Sequence, residues 1–265
     1  MQERLELVKL SPQEVLDAGC GEGDDLCALN QRYPSARMTG VDVSAAMLVA
    51  SRASIESGKP TWQRLIGKWL PVKLGSNPQL LHSDFAGMPL KGNAIDLLWS
   101  NLALHWHPQP LQVFAEWQRV LRVNGLLMFS CFGPDTFREL RQAFARVDDY
   151  PHTLPFTDMH DLGDMLLAAG FSEPVMDMEK ITVTYESVDD LIADVRAFGG
   201  NPLAARRLGL LGRESGKRVM QTLEAMRGAD GEIPLTFEVI YGHAFKPVPT
   251  ITEQGEAIVR FVSRR

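Results

Sequence analysis

Short apolar runs alternate with helical spacings through the first half of the chain. EVLDA at residues 14–18 is a strand-like run that meets a glycine-rich turn, GCGEG at 19–23, after which Leu26 and Leu29 share one helical face. ARMTGVDV at 36–43 reads as a second strand, Ser44 as an N-cap, and AAMLVASRA as a helix carrying Met47, Leu48 and Ala50. QLLHSD at 79–84 and AIDLLWSN at 94–101 are further strands, the latter nearly all apolar, as a strand covered on both faces requires. PLQVFAEWQRVL puts Leu111, Phe114, Trp117 and Leu121 at helical spacing. Asn124-Gly125 is expected to stop that helix before a strand, GLLMFSCF, at 125–132.

This alternation predicts an α/β fold with a doubly wound parallel sheet and right-handed crossovers, in which ligands bind at the carboxyl ends of the strands. Past residue 133 the alternation loosens. Helices are expected near 134–146, 158–169, 187–198 and 213–227, and strands at 173–185 and 235–246, the helices forming a cap over the sheet's carboxyl edge. The expected organisation is one domain: a core over 1–133, the remaining strands and helical cap over 134–247, and a tail over 248–265 without assignment. Ser187 with Asp190 forms a helix start resembling a capping box. The interval 59–78 breaks the pattern. It carries Trp62 and Trp69 among basic residues, a composition that suits a lid or partner surface but reads first as a surface helix packed through its tryptophans.

Composition narrows the function classes. The 265 residues are 45% hydrophobic and 23% charged, enough for one substantial core. Lys and Arg number 27 against 33 Asp and Glu, a net −6 that disfavours nucleic acid and anionic membrane as partners. MQERLELVKL has no leader-like apolar stretch and no run approaches the roughly 20 apolar residues of a membrane span, so a cytoplasmic protein is expected. Cys20, Cys27 and Cys131 form no CxxC pair, which argues against disulfides and a thiolate zinc site. His105 and His107 lack a third ligand at definable spacing, so no metal is expected. Ser100 and Ser130 lie in no GxSxG elbow.

The glycine loop fails both phosphate-binding patterns. A dinucleotide fingerprint needs Gly or Ala where Asp24 stands, Asp24-Asp25 at a helix N-terminus would repel a pyrophosphate, and no GK[ST] follows. The acidic residues favour a ligand with a cationic end. Asp17, closing the first strand, can accept from an ammonium group; Asp42, closing the second, can accept from two ribose hydroxyls; Asp84, after the third, can reach an exocyclic amine. An adenine, a ribose and an amino-acid tail together describe S-adenosylmethionine, with S-adenosylhomocysteine as its product.

DAGCGEG, VDVS and SDFAGMPL on successive strands resemble the class I S-adenosylmethionine-dependent methyltransferases over roughly residues 14–132. The resemblance implies a seven-stranded, mostly parallel Rossmann-like sheet with one antiparallel strand. It also implies that Gly19, Gly21 and Gly23 line the methionine end and that Val43 and Met47 pack on the adenosine. Phe85 would offer its N–H to adenine, and Asn101 would lie beside the methionine carboxylate and sulfonium. WSNLALHW at 99–106, the segment 119–152 and LTFEVIYG at 235–242 are similar to the malonyl-acyl carrier protein O-methyltransferase family of biotin biosynthesis. A mitochondrial respiratory-complex assembly factor that modifies an arginine side chain resembles the same regions. The family implies a longer N-terminal arm than the 13 residues preceding this first strand.

That resemblance implies methylation of the free carboxylate of a malonyl thioester, which is ionised at pH 7 and needs no general base. Candidate contacts for the carboxylate are His105, Arg138, Arg141, His152 and Tyr241. From Asp148 to Asp194 twelve acidic residues stand against Lys180 alone, whereas from Arg196 to Arg218 six basic residues stand against Glu214. The basic stretch reads equally as a solvated face and as a dock for an acidic acyl carrier protein. Two alternatives stay open: another small carboxylic acid as acceptor, and a cofactor-binding assembly protein without methyl transfer.

Overall fold

The structure, a computed structural model, describes residues 1–57, 77–199, 203, 205–206 and 212–249. The tryptophan-rich interval, apart from its last two residues, and the tail from residue 250 therefore lie outside the described residues, as does Arg207. The chain begins with α1 (Gln2–Glu6), β1 (Glu14–Ala18), α2 (Asp24–Arg32), β2 (Arg37–Asp42), α3 (Ala45–Ser57), β3 (Gln79–His82) and β4 (Ile95–Ser100). A 3-10 turn (Leu104–Trp106), α4 (Pro110–Val120) and β5 (Leu121–Phe132) follow. The second half contains α5 (Arg138–Phe144), α6 (Met159–Ala168), β6 (Ser172–Tyr185), α7 (Val188–Ala197), α8 (Arg213–Glu224) and β7 (Ile233–Phe245).

The strands form one seven-stranded sheet in the order β3-β2-β1-β4-β5-β7-β6. β1 pairs in parallel with β2 on one side and β4 on the other, so the winding reverses between them, and the chain must leave both strand ends in opposite directions. β3 and β5 extend the parallel pairing outward. β7 runs antiparallel to β5: Asn124 N–H donates to Lys246 O at 2.8 Å and Gly133 N–H to Glu238 O at 2.9 Å, so the partner number falls as β5 advances. The doubly wound sheet predicted from the alternation is therefore present.

Contacts divide the chain into two units, one of Met1–Ser130, Leu162–Met176 and Tyr241–Arg265, the other of Cys131–Asp161 and Asp177–Ile240. In the first, alternate residues of the central strands face opposite layers. Leu97, Trp99, Leu126 and Met128 join Leu26 and Leu29 of α2 in one buried cluster. On the other face Phe129 meets Phe114 and Trp117 of α4, with ring centroids 5.4 and 6.3 Å apart. Leu111, read from sequence as part of that apolar face, is instead 47% exposed. Six residues of helix before Trp117 leave it about 120° around the axis.

Asn124-Gly125 does not end the helix. α4 gives way to β5 at Leu121, and the pair forms a bulge within the strand, where Ile95 and Leu97 face Leu121 and Leu126. Asn124 adopts φ 64°, and a Cβ on Gly125 would fall 2.8 Å from Arg122 O. The carbonyls at the end of α4 are instead met by a buried lysine from β7's far end. Lys246 Nζ donates to Gln118 O at 2.7 Å, Leu121 O at 2.9 Å and Asn93 Oδ1 at 2.9 Å.

The second unit is built on a buried polar network. Glu139 accepts from Thr236 Oγ1 at 2.6 Å and Thr236 N–H at 3.0 Å, and Glu238 accepts from Asp135 N–H at 2.8 Å. Burial alone would raise the Glu139 carboxyl, but the bonds from Thr236 and Arg138 hold it below the usual range. Five phenyl rings, of Phe132, Phe137, Phe156, Phe198 and Phe237, pack in a continuous row. Ser187 caps α7 as the sequence predicts, accepting from Asp190 N–H at 3.2 Å.

Lys246→Met keeps the aliphatic stem but leaves three oxygens without their donor. It is expected to cost about 1–3 kcal/mol of stability, read as a lower urea midpoint with unchanged slope.

Candidate active site

The end of β1 and the turn into α2 are shaped by three glycines with positive φ. Gly19 has φ 82°, and a Cβ there would meet Ala103 Cβ at 2.4 Å; Gly23 has φ 86° and would meet Ser51 Oγ at the same distance. Gly21, at φ 50°, has nothing within 4 Å of its would-be Cβ, so the middle of the turn faces open space. Gly19 and Cys20 N–H both donate to Val41 O, at 2.8 and 3.0 Å, which fixes the turn to the end of β2.

Asp42 completes that tie. Its Oδ2 accepts from Gly21 N–H at 2.9 Å and its Oδ1 from Ser44 N–H at 2.8 Å. Each oxygen keeps a further lone pair. Ser44 Oγ in turn accepts from Met47 N–H at 3.4 Å, starting α3. Beside Asp42, Val43 is 67% and Met47 41% exposed, apolar side chains left facing solvent at a strand end. After β3, Asp84 Oδ1 accepts from Ala86 N–H at 2.8 Å. The buried Phe85 ring lies 5.9 Å from His107 and 6.0 Å from Trp117.

Asp17 is the electrostatic anomaly of this region. It is 1% exposed, and its Oδ2 has no hydrogen-bond partner among the described residues. Burial, then the nearby Asp25 and Asp42 carboxylates, push its carboxyl well above the ordinary range. The same neighbourhood pushes the buried Cys20 thiol up to about 12, chiefly through burial and then through Asp17 and Asp42, which leaves it unreactive as a nucleophile. A ligand with a cationic end fits such a place: it would supply the donor that Asp17 lacks and occupy the space in front of Gly21.

Two residues without an assigned role in the sequence reading join this region. Asn101, just past β4, donates through Nδ2 to Asp25 Oδ2 at 2.9 Å, and its Oδ1 accepts from Ser130 Oγ at 2.5 Å. Asp25 had signified only repulsion of phosphate, and Ser130 only the lack of a hydrolase motif. Nothing in their spacing signals the contact, because Asn101 lies 76 residues from Asp25 and 29 from Ser130.

The candidate acceptor contacts do not share one environment. His105 is driven down to about 4 by burial, so it is neutral at pH 7. In the second unit, Arg141 donates to the carbonyls of Pro134 and Thr136, and Arg138 Nε donates to Glu139 Oε1 at 3.0 Å. His152 Nε2 lies 2.7 Å from Asp148 Oδ1 and its ring stacks on Phe144 at 3.8 Å. In the first unit, the Arg4 guanidinium lies 4.3 Å over the Tyr241 ring. Among the described residues no His, Cys, Asp and Glu group could hold a metal ion, and no helix is long and apolar enough to cross a membrane.

The sheet order, the antiparallel seventh strand and the glycine turn at the β1 end are those of a class I S-adenosylmethionine-dependent methyltransferase, and a family model described as "Methyltransferase domain" matches residues 16–129. A malonyl-[acyl-carrier protein] O-methyltransferase of Gallionella capsiferriformans is 44% identical over 98% of this chain and 86% of its own. Its counterpart in Nitrosospira multiformis is 44% identical over 94% of this chain and 81% of its own. The chain belongs to the malonyl-[acyl-carrier protein] O-methyltransferase family. The solved structure of the YcgJ protein of Bacillus subtilis shares the fold, with a TM-score of 0.63 at 15% identity over 94% of this chain and 98% of that one.

The raised Asp17 carboxyl implies a stability cost. An unfolded chain ionises this group near pH 3.9, whereas the folded chain keeps the proton longer, so stability falls as pH rises through that window and stays lowered above it. Asp17→Asn is expected to raise the melting temperature at pH 7 by about 2–4 °C, with the gain vanishing near pH 4. Scans across pH without added cofactor check this; an equal gain at all pH values would contradict it.

Proposed function

We propose that this chain transfers the methyl group of S-adenosylmethionine to the free carboxylate of a malonyl thioester on acyl carrier protein, in the cytoplasm, making the methyl ester that enters pimelate and biotin precursor synthesis. The observation that carries the cofactor half is the buried, unpartnered Asp17 oxygen at the point where the sheet reverses its winding. The acceptor half is supported by the two relatives' names and by their identity over nearly the whole chain.

S-adenosylmethionine supplies an electrophilic methyl group on a positively charged sulfur. In this reading Asp17 accepts from its ammonium group, Gly19, Gly21 and Gly23 leave room for the methionine end, and Asn101 lies along it. Asp42, already oriented by two backbone donors, uses its remaining lone pairs for the ribose hydroxyls. Val43 and Met47 cover the adenine faces, Asp84 accepts from its amine, and Phe85 offers its N–H. A carboxylate acceptor is already a nucleophile at pH 7, so the protein's work is alignment and exclusion of water, of which alignment is worth up to roughly 7–11 kcal/mol. His105, kept neutral, donates one N–H to a carboxylate without drawing a proton from it. Tyr241 stands beside His105 as a candidate of the first unit, and Arg138 and His152 are the candidates of the second. Arg141 serves the turn at Pro134–Thr136 and contributes through that turn.

The acidic carrier would dock on the basic face of the second unit. Arg196, Arg206, Arg213 and Arg218 are all exposed, the last two on α8. No nucleic acid or membrane enters this reading.

Purified chain incubated with malonyl-acyl carrier protein, free malonate or no acceptor is expected to release S-adenosylhomocysteine only with the carrier-bound acid, with product mass raised by one methyl. Turnover with free malonate alone would replace the acceptor, and cofactor binding without turnover on any carboxylate would favour an assembly protein. Asp42→Ala is expected to weaken the cofactor by about 1.5–3 kcal/mol per lost ribose bond in calorimetry. Reversing Arg213 and Arg218 to Glu is expected to raise KM for the carrier substrate about tenfold at low salt and less at high salt, with kcat unchanged.

A further inference from the structure

Asp25 and Ser130, neither of them among the proposed cofactor contacts, form the two ends of a polar relay that runs through Asn101. Ser130 is fully buried on β5 and directs its hydroxyl hydrogen to Asn101 Oδ1 at 2.5 Å, while its oxygen accepts from Leu102 N–H at 3.0 Å. The Ser130 carbonyl also accepts from Leu102 N–H at 3.0 Å, and Leu102 is held at φ 50°, where a side chain as large as leucine rarely sits. With its oxygen committed to Ser130, the Asn101 amide can present only its NH2 to Asp25, and it does so at 2.9 Å. Each group donates to the next. The relay ends on a carboxylate that needs no proton, and Asp25 keeps lone pairs on both oxygens.

What this carboxylate faces is indicated by its neighbour. Asp17, buried with an unpartnered oxygen, lies close enough for Asp25 to act on its ionisation, and Asp42 does the same from β2. Among the described residues none of the three is ion-paired with a lysine or arginine. With Asp42 turned to the ribose, Asp17 and Asp25 are two carboxylates without a counter-ion among the described residues, and they suit a ligand with two cationic centres. S-adenosylmethionine carries an ammonium and a sulfonium, whereas S-adenosylhomocysteine keeps the ammonium and loses the sulfonium charge. Asp17 suffices for the group that both possess.

We propose that Asp25 is the residue that distinguishes the charged cofactor from its neutral-sulfur product, and that Ser130 is a positioning residue that holds Asp25 in place through Asn101. This rests on the cofactor reading above. Loss of the sulfonium charge on methyl transfer then weakens the hold on the product, which favours its exchange.

Dissociation constants for S-adenosylmethionine and S-adenosylhomocysteine, measured by calorimetry on the full chain and on variants of unchanged melting behaviour, test this. Asp25→Asn is expected to weaken S-adenosylmethionine about tenfold and S-adenosylhomocysteine less than about threefold, as removal of one nearby charge costs most for the ligand that carries the additional positive charge. Ser130→Ala is expected to narrow the same ratio in the same direction, and Ser130→Thr, which keeps the hydroxyl, to restore it. Equal weakening of both ligands in Asp25→Asn would overturn the proposal, as would an unchanged ratio in both Asp25→Asn and Ser130→Ala. If the unaltered chain binds neither ligand, the cofactor reading itself fails, a result separate from any change in the ratio.

Discussion

The Asp42 carboxylate is the contact on which the geometry of the β1–β2 edge depends. One oxygen holds the glycine turn after β1 through Gly21, the other holds Ser44 at the start of α3. Two parallel strands end side by side with no hairpin to join them, so their departing loops must be fixed by something other than the ladder. A carboxylate with two oxygens and spare lone pairs fixes both loops and still faces solvent with acceptors. Gly19 fitting against Ala103 and Gly23 against Ser51 close the remaining freedom, and Gly21 alone is left open.

Such tight anchoring explains how the structure tolerates an unfavourable residue. A carboxylate as buried as Asp17, with an oxygen unpartnered and two other carboxylates close by, opposes folding. It is retained on the strand that lies between β2 and β4, where backbone pairing on both sides and the cluster of Leu26, Leu29, Leu97 and Trp99 hold the chain in place. In the proposed reading, stability is surrendered at one residue so that a cation finds a site already arranged for it, as expected of a pocket organised before its ligand arrives.

The second unit uses burial of charge differently. Glu139 and Glu238 are 5% exposed, yet their oxygens are filled by Thr236, Asp135 N–H and Arg138, so they specify the path of the turn after β5 rather than wait for a ligand. Phe137 is held at φ 61° by that network, with its N–H donating to Thr236 O at 2.8 Å, which aims its ring into the phenyl row. The strain is local and is offset by bonds that reach about 100 residues along the chain.

The order of apolar and polar residues determined the parallel strands, the crossovers and the acidic side chains at their carboxyl ends, because strand period, glycine turns and capping serines act over a few residues and leave a local record. Asp24 and Asp25 likewise weigh locally against a phosphate at the loop after β1, by charge alone. The bulge at Asn124-Gly125, read locally as a helix stop, could not be foreseen: Lys246 supplies the donors for the end of α4 from 125 residues away. Nor could the relay from Ser130 to Asp25, whose members lie on β5, just past β4 and on α2. Hydrogen bonds between distant residues depend on which strands become neighbours, and that is decided only when the sheet closes around its core.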